Sequence, residues 1–193
     1  MGLENGMSAD YIRERLRKRW HAGTQQPLNG KKRAAVLVPL FCSNDEWNLL
    51  LTHRTQSVET HKGQVAFPGG AEEIEDGVPE QTALRETCEE IGVGKDRVEI
   101  LGRMGEFPTP GFLVTPVVGV IQWPVPLTIS SAEVSRVFSV PYGWLADQRN
   151  WEERPYPQPD GGFAQVIFYH DYEGEKVWGV TARIIHDLVR TLT

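Results

Sequence analysis

Between residues 71 and 90 the chain carries eight acidic side chains and one Arg, a local charge of −7. Inside that block, residues 79–91 read as a helix ended by Gly92. A helix turns about 100° per residue, so Glu86, Glu89 and Glu90 fall within an arc of about 100°. Leu84, Cys88 and Ile91 lie opposite and are expected to face the core, which makes Cys88 a packing residue and not a nucleophile. Carboxylates at this spacing repel by on the order of 1 kcal/mol per pair in water, and by more when partly buried. A face built for stability alternates signs instead. Two readings are open. One is a solvated Glu-rich face. The other is a site for a hard divalent cation, Mg²⁺ or Mn²⁺, which takes oxygen ligands and is commonly shared with the phosphates of a substrate.

The rest of the chain reads mostly as strands. Residues 34–42 and 47–53 are expected to pair across Ser43-Asn44-Asp45. Residues 65–67 form a short strand running into Pro68-Gly69-Gly70, and 98–107 and 113–123 are further strands. Residues 132–138 and 142–147 read as short helical or irregular pieces. Residues 164–170 and 176–178 are expected to frame a hairpin around Glu173-Gly174. A closing helix over 180–192 offers Val180, Ile184, Ile185, Leu188, Val189 and Leu192 as one buried face. Strands and helices do not alternate regularly. The expected fold class is therefore α+β, an α/β/α sandwich with a mixed central sheet and flanking helices.

At 193 residues the chain is expected to be built around one main domain, over 31–193, preceded by a basic helix and linker over 1–30. Ile12, Leu16 and Trp20 form a stripe on that helix, and residues 1–33 carry a charge of +5. The net charge of −6 argues against a nucleic-acid partner. No apolar run reaches the roughly 18 residues of a membrane span, and two cysteines are too few for a disulfide scaffold. The expectation is a reduced, soluble, cytoplasmic protein with no membrane partner; whether it is a monomer or a homodimer stays open.

Arg85, Glu86, Glu89, Glu90 and Gly92, with Gly69-Gly70 and Asp76 upstream, resemble the signature of Nudix hydrolases. Residues 50–54, 63–70, 111–116, 133–134, 140–141 and 178–183 further resemble the coenzyme A pyrophosphatase branch of that family, so the likeness covers about residues 33–189. Three departures stand out. Asp76 replaces the first Glu of the signature, Thr87 replaces an aliphatic residue, and Glu59 stands where the branch has Arg, close to His61 and Lys62.

The resemblance implies a Nudix fold and a Mg²⁺- or Mn²⁺-dependent hydrolysis of a small nucleotide substrate. For coenzyme A the products would be 4'-phosphopantetheine and adenosine 3',5'-bisphosphate. ADP-ribose, NADH or a dinucleotide polyphosphate is the alternative substrate class, and a non-catalytic ligand-binding module a third reading. Glu86, Glu90 and Glu89, with the backbone carbonyl of Gly70, are the implied metal ligands. Glu86, Glu89 and Glu133 are the catalytic candidates, the last two as general base. Arg54, His61, Lys62 and Phe67 are the substrate-binding candidates; Arg85, Gly69, Asp76 and Gly92 shape the motif.

Overall fold

The structure is a computed structural model that describes residues 7–20, 26–55, 63–158 and 161–193. In chain order the elements are α1 (Ala9–Arg19), β1 (Lys32–Ser43), β2 (Glu46–Arg54), β3 (Val65–Ala66), β4 (Gly69–Ala71), α2 (Pro79–Ile91), β5 (Val98–Arg103), β6 (Phe107–Pro108), β7 (Phe112–Ile121), β8 (Val134–Pro141), α3 (Tyr142–Ala146), β9 (Trp151–Pro157), β10 (Phe163–Tyr169) and α4 (Gly179–Leu192).

β1 is the spine of a mixed sheet. It runs parallel to β7, from Lys32 opposite Phe112 to Leu40 opposite Val120. Its far end pairs antiparallel with β2 through a turn in which Asn44 and Asp45 take positive φ. Its near end pairs antiparallel with β4, at Ala34–Ala71 and Val36–Gly69. β3 pairs with β2 at Thr52 and His53. The stretch from Val65 to Ala71 is thus a wedge seated where β1 and β2 splay apart, and it delivers Gly69 and Gly70 to the sheet.

Both faces of β1 are buried, which is why its sequence is a nearly unbroken apolar run. Successive side chains point to opposite faces. Ala35 and Leu37 join Ala83 of α2, and Phe41 joins Ile91. Val38 and Leu40 belong to the larger cluster on the other face, with Ile12 and Leu16 of α1 and Ile184, Ile185 and Leu188 of α4. Helices therefore cover both faces of the sheet, as the expected sandwich requires.

Three expectations need correction. Residues 134–141 are a strand, β8, paired antiparallel with the outer edge of β2 from Asn48–Pro141 to Arg54–Val134. Its alternation is masked by a register shift between His53 and Arg54. The main partner of β10 is β9, whose two prolines and charged residues hide a strand that sits on an edge. Residues 176–178 add one bridge, Phe168–Trp178, beside the expected turn between Tyr172 and Glu175. Val180 is exposed because it stands in the first turn of α4, outside that helix's buried stripe.

The basic helix packs into the main core. Ser8 caps α1 by accepting the Tyr11 N–H at 3.1 Å. The Tyr11 hydroxyl donates to the Leu192 carbonyl at 2.8 Å, and the Arg15 guanidinium to the Thr191 carbonyl at 2.7 Å. These carbonyls are among the last four of α4, which have no partner inside their own helix. We expect Ile12→Ala to cost about 2–4 kcal/mol in denaturant unfolding, the usual range for emptying a core position. Arg17→Ala, on the exposed face of the same helix, should stay within about 0.5 kcal/mol.

Candidate active site

α2 starts with Pro79 in its first turn, where the missing N–H costs nothing. It ends at Gly92 in the left-handed region, φ 74°. A β-carbon on Gly92 would also press on Thr128 at 2.7 Å. That close approach has a purpose in the fold: the Thr128 N–H donates to the Ile91 carbonyl at 3.0 Å and the Ser130 N–H to the Glu90 carbonyl at 2.9 Å. The loop leading to β8 is thereby strapped to the end of α2, and it carries Glu133.

The core-facing stripe of α2 is Thr82, Ala83, Thr87, Glu90 and Ile91, and Cys88 is exposed. The expected buried face is therefore rotated. Small side chains let α2 lie close to β1, and Thr87 satisfies its buried hydroxyl by donating to the Ala83 carbonyl at 2.6 Å. One consequence governs the site. The three carboxylates are graded in depth, with Glu89 56% exposed, Glu86 15% and Glu90 1%.

Each carboxylate leans on a basic or N–H partner. Glu90 accepts from the Arg54 guanidinium at 3.1 Å and from the Gly69 N–H at 3.3 Å. Burial pushes its carboxyl up to about 7; Arg54 and the Gly69 N–H oppose this, and the negative charges of Glu133 and Glu86 add to it. Glu86 is also raised, first by burial, with Arg85 opposing and Glu89 and Glu133 adding. Glu133 is thus within electrostatic reach of both buried carboxylates. A β-carbon on Gly70 would run into the Glu86 carboxylate, which would have to swing away to admit it, so the glycine lets the carboxylate lie against the backbone.

Arg85 holds Asp76 through two contacts, Nε to Oδ1 at 3.1 Å and Nη2 to Oδ2 at 2.9 Å. Asp76 also accepts from the Glu73 N–H and the Thr82 hydroxyl. The Arg85 guanidinium keeps the Asp76 carboxyl well below the ordinary carboxylate range, although burial works the other way. Arg85 also reaches Glu86 at 2.9 Å and Glu89 at 3.2 Å. Its angular position on the helix points away from them, but the long side chain folds back.

Among the described residues no three Asp, Glu, His or Cys side chains converge tightly enough to hold an ion as they stand. Arg54 is paired with Glu90, and Arg85 bridges Glu86 and Glu89. The donor set nevertheless suits a hard cation: all oxygen, partly buried, mutually repelling, and beside a backbone with no side chain in the way. Phe67 packs into the main core with Val65, at 3% exposure. Glu59, His61 and Lys62 lie outside the described residues.

A cavity of about 660 Å³ opens on the α4 face of the sheet, lined among others by Gln64, Val65, Thr109, Tyr156, Trp178 and Arg183. The Gln64 carbonyl accepts the Arg54 N–H at 3.0 Å, so one backbone hydrogen bond links the wall of this cavity to Arg54, the partner of Glu90. The Thr181 hydroxyl donates to the Val65 carbonyl at 3.1 Å and fixes α4 against the opposite wall. Trp178 stacks on Phe168, with centroids 5.6 Å apart and planes 6° apart, and lies 5.4 Å from Tyr156. Sequence reasoning assigned no Trp to the site. The signal was the position of Trp178 at the head of the 178–183 segment.

Residues 31–160 match the NUDIX domain family. The chain is 34% identical over 163 residues to an uncharacterized Nudix hydrolase, NudL, of Photorhabdus laumondii, covering 84% of this chain and 86% of that one. It is 37% identical over 166 residues to the protein of the same description from Pectobacterium atrosepticum, covering 84% of each. The fold is similar to that of a NUDIX hydrolase from Alicyclobacillus acidocaldarius, with a TM-score of 0.54 at 20% identity over 85% of this chain and 93% of the other. It is also similar to the Nudix hydrolase RenU of M. smegmatis, with a TM-score of 0.52 at 22% identity over 67% of this chain and 81% of the other. The chain belongs to the Nudix family and is a Nudix hydrolase. No helix among the described residues is long and apolar enough to cross a membrane.

The Arg85–Asp76 pair makes a pH prediction. A carboxyl whose folded value lies below its unfolded one stabilises the fold fully above about pH 4, and that stabilisation is lost as pH falls through the folded value. Asp76→Asn should lower stability by about 1–3 kcal/mol at neutral pH, as expected for leaving the partner of a half-buried, hydrogen-bonded charge pair unsatisfied. In thermal melts the deficit should stay constant from about pH 8 to 5 and begin to close only below about pH 4.

Proposed function

We propose that this Nudix hydrolase cleaves the pyrophosphate bond of coenzyme A or its derivatives, with Mg²⁺ or Mn²⁺, to 4'-phosphopantetheine and adenosine 3',5'-bisphosphate. One observation carries the substrate choice. Two of the distant segments that resemble the coenzyme A branch, 63–70 and 178–183, both contribute walls to the same cavity, and Gln64 in that wall is hydrogen-bonded through its backbone to Arg54. A volume of about 660 Å³ with mixed apolar and polar walls suits the long pantetheine arm of such a substrate.

Glu86 and Glu90, with Glu89 and the Gly70 carbonyl, are the residues that would hold the metal. The ion would supply charge neutralisation on the phosphate oxygens and a more acidic bound water. The chain's own residues do the positioning. Arg54 lies on Glu90 at 3.1 Å, and its forked guanidinium suits a phosphate brought to the carboxylates. Glu133 is the preferred proton acceptor, because its charge is felt by both Glu86 and Glu90 while Glu89 is engaged by Arg85. Arg85 and Asp76 keep the shape of the loop that ends in α2.

The aromatic wall of Tyr156 and Trp178 favours a second reading, in which a purine lies in the cavity and the substrate is ADP-ribose, NADH or a dinucleotide polyphosphate. A panel of these compounds and coenzyme A, with products separated by chromatography, decides between them. The expected outcome is a kcat/KM for coenzyme A at least about tenfold above the others, a gap of about 1.4 kcal/mol in transition-state binding. A preference for ADP-ribose or NADH would reject the first reading. Trp178→Ala should raise KM for coenzyme A by about tenfold and leave kcat within about threefold, as loss of uniform binding does.

A further inference from the structure

We propose that Arg54 is the resident counter-cation of Glu90, and that a divalent ion takes Glu90 from it, freeing the guanidinium for the substrate's phosphate. This rests on the reading of Glu90 as a cation ligand. Glu90 is 1% exposed and its Oε1 lies 3.1 Å from Arg54 Nη1. Its other oxygen accepts the Gly69 N–H at 3.3 Å. A carboxylate at this depth is stable as an anion only beside a positive charge. A guanidinium stays charged at every working pH, so it supplies that charge without a metal.

Two positive groups cannot share the Glu90 carboxylate without repelling, so Arg54 and the ion compete for it. The backbone explains how the side chain is aimed there. The pairing of β2 with β8 shifts register between His53 and Arg54, and such irregularities redirect a side chain from its regular course. The Arg54 N–H is meanwhile held by the Gln64 carbonyl. Arg85 is placed differently, because two contacts to Asp76 anchor it away from any exchange.

The test is Mn²⁺ binding without substrate, followed by electron paramagnetic resonance of the free ion at about pH 8, where surface carboxylates are ionised. Melting temperature in chelator is recorded alongside. Arg54→Met should bind Mn²⁺ about tenfold more tightly than the wild type, and Arg54→Gln, which keeps a hydrogen-bonding head, should do the same. Arg54→Lys, which keeps the charge, should stay within about threefold of the wild type, and Glu90→Gln should bind at least about tenfold more weakly. The neutral Arg54 variants should melt below the wild type in chelator and recover with Mn²⁺. If they bind Mn²⁺ no better than the wild type while Glu90→Gln binds it worse, the exchange is overturned and the ligand reading stands. If Glu90→Gln binds Mn²⁺ as the wild type does, both are overturned.

Discussion

A carboxylate buried on the core-facing stripe of a helix has to be matched by positive charge, and Glu90 sets that demand for the whole site. It is 1% exposed, raised to about 7 by burial, and flanked by the negative charges of Glu133 and Glu86. Arg54 meets the demand from the edge of the sheet, and the Gly69 N–H meets part of it from the wedge between β1 and β2. The close seat of α2 on β1, made by Ala83 and Thr87, brings these groups within reach of one another.

The supporting parts follow from the same arrangement. Gly92 ends α2 in a conformation that other residues adopt with strain, and the space beside it admits the loop at Thr128. That loop takes up the carbonyls of Glu90 and Ile91 and continues into Glu133. Arg85 and Asp76 brace the stretch before the helix. On the far face, the aromatic group around Trp178 and the Thr181–Val65 hydrogen bond shape a cavity one hydrogen bond away from Arg54.

Much of this was legible in the sequence because local chemistry dictated it. Pro79 and Gly92 bracket the helix at the bounds found, and the apolar run of β1 reads as a strand buried on both faces. The orientation of that helix was not legible. A helical wheel weighs Leu84 and Cys88 as core, whereas the sheet accepts Ala83 and Thr87 because they are small, and only the packing decides this. β8 and β9 escaped because a register shift and two prolines broke their patterns. The cavity escaped for a different reason: its walls come from residues 20, 64–65, 105–110, 156, 158, 164–167, 178–181, 183 and 187, which no local pattern joins. Phe67 illustrates the converse, a residue inside a substrate-like motif whose ring packs into the core.

The central claim is that the buried carboxylates of α2 serve catalysis only with a divalent cation between them and an anionic substrate. The most direct measurement is turnover of coenzyme A by the wild-type protein after exhaustive chelation, with Mn²⁺ then added back in steps. The account predicts no release of adenosine 3',5'-bisphosphate in chelator and full recovery as Mn²⁺ is restored. Undiminished release in metal-free buffer would contradict it.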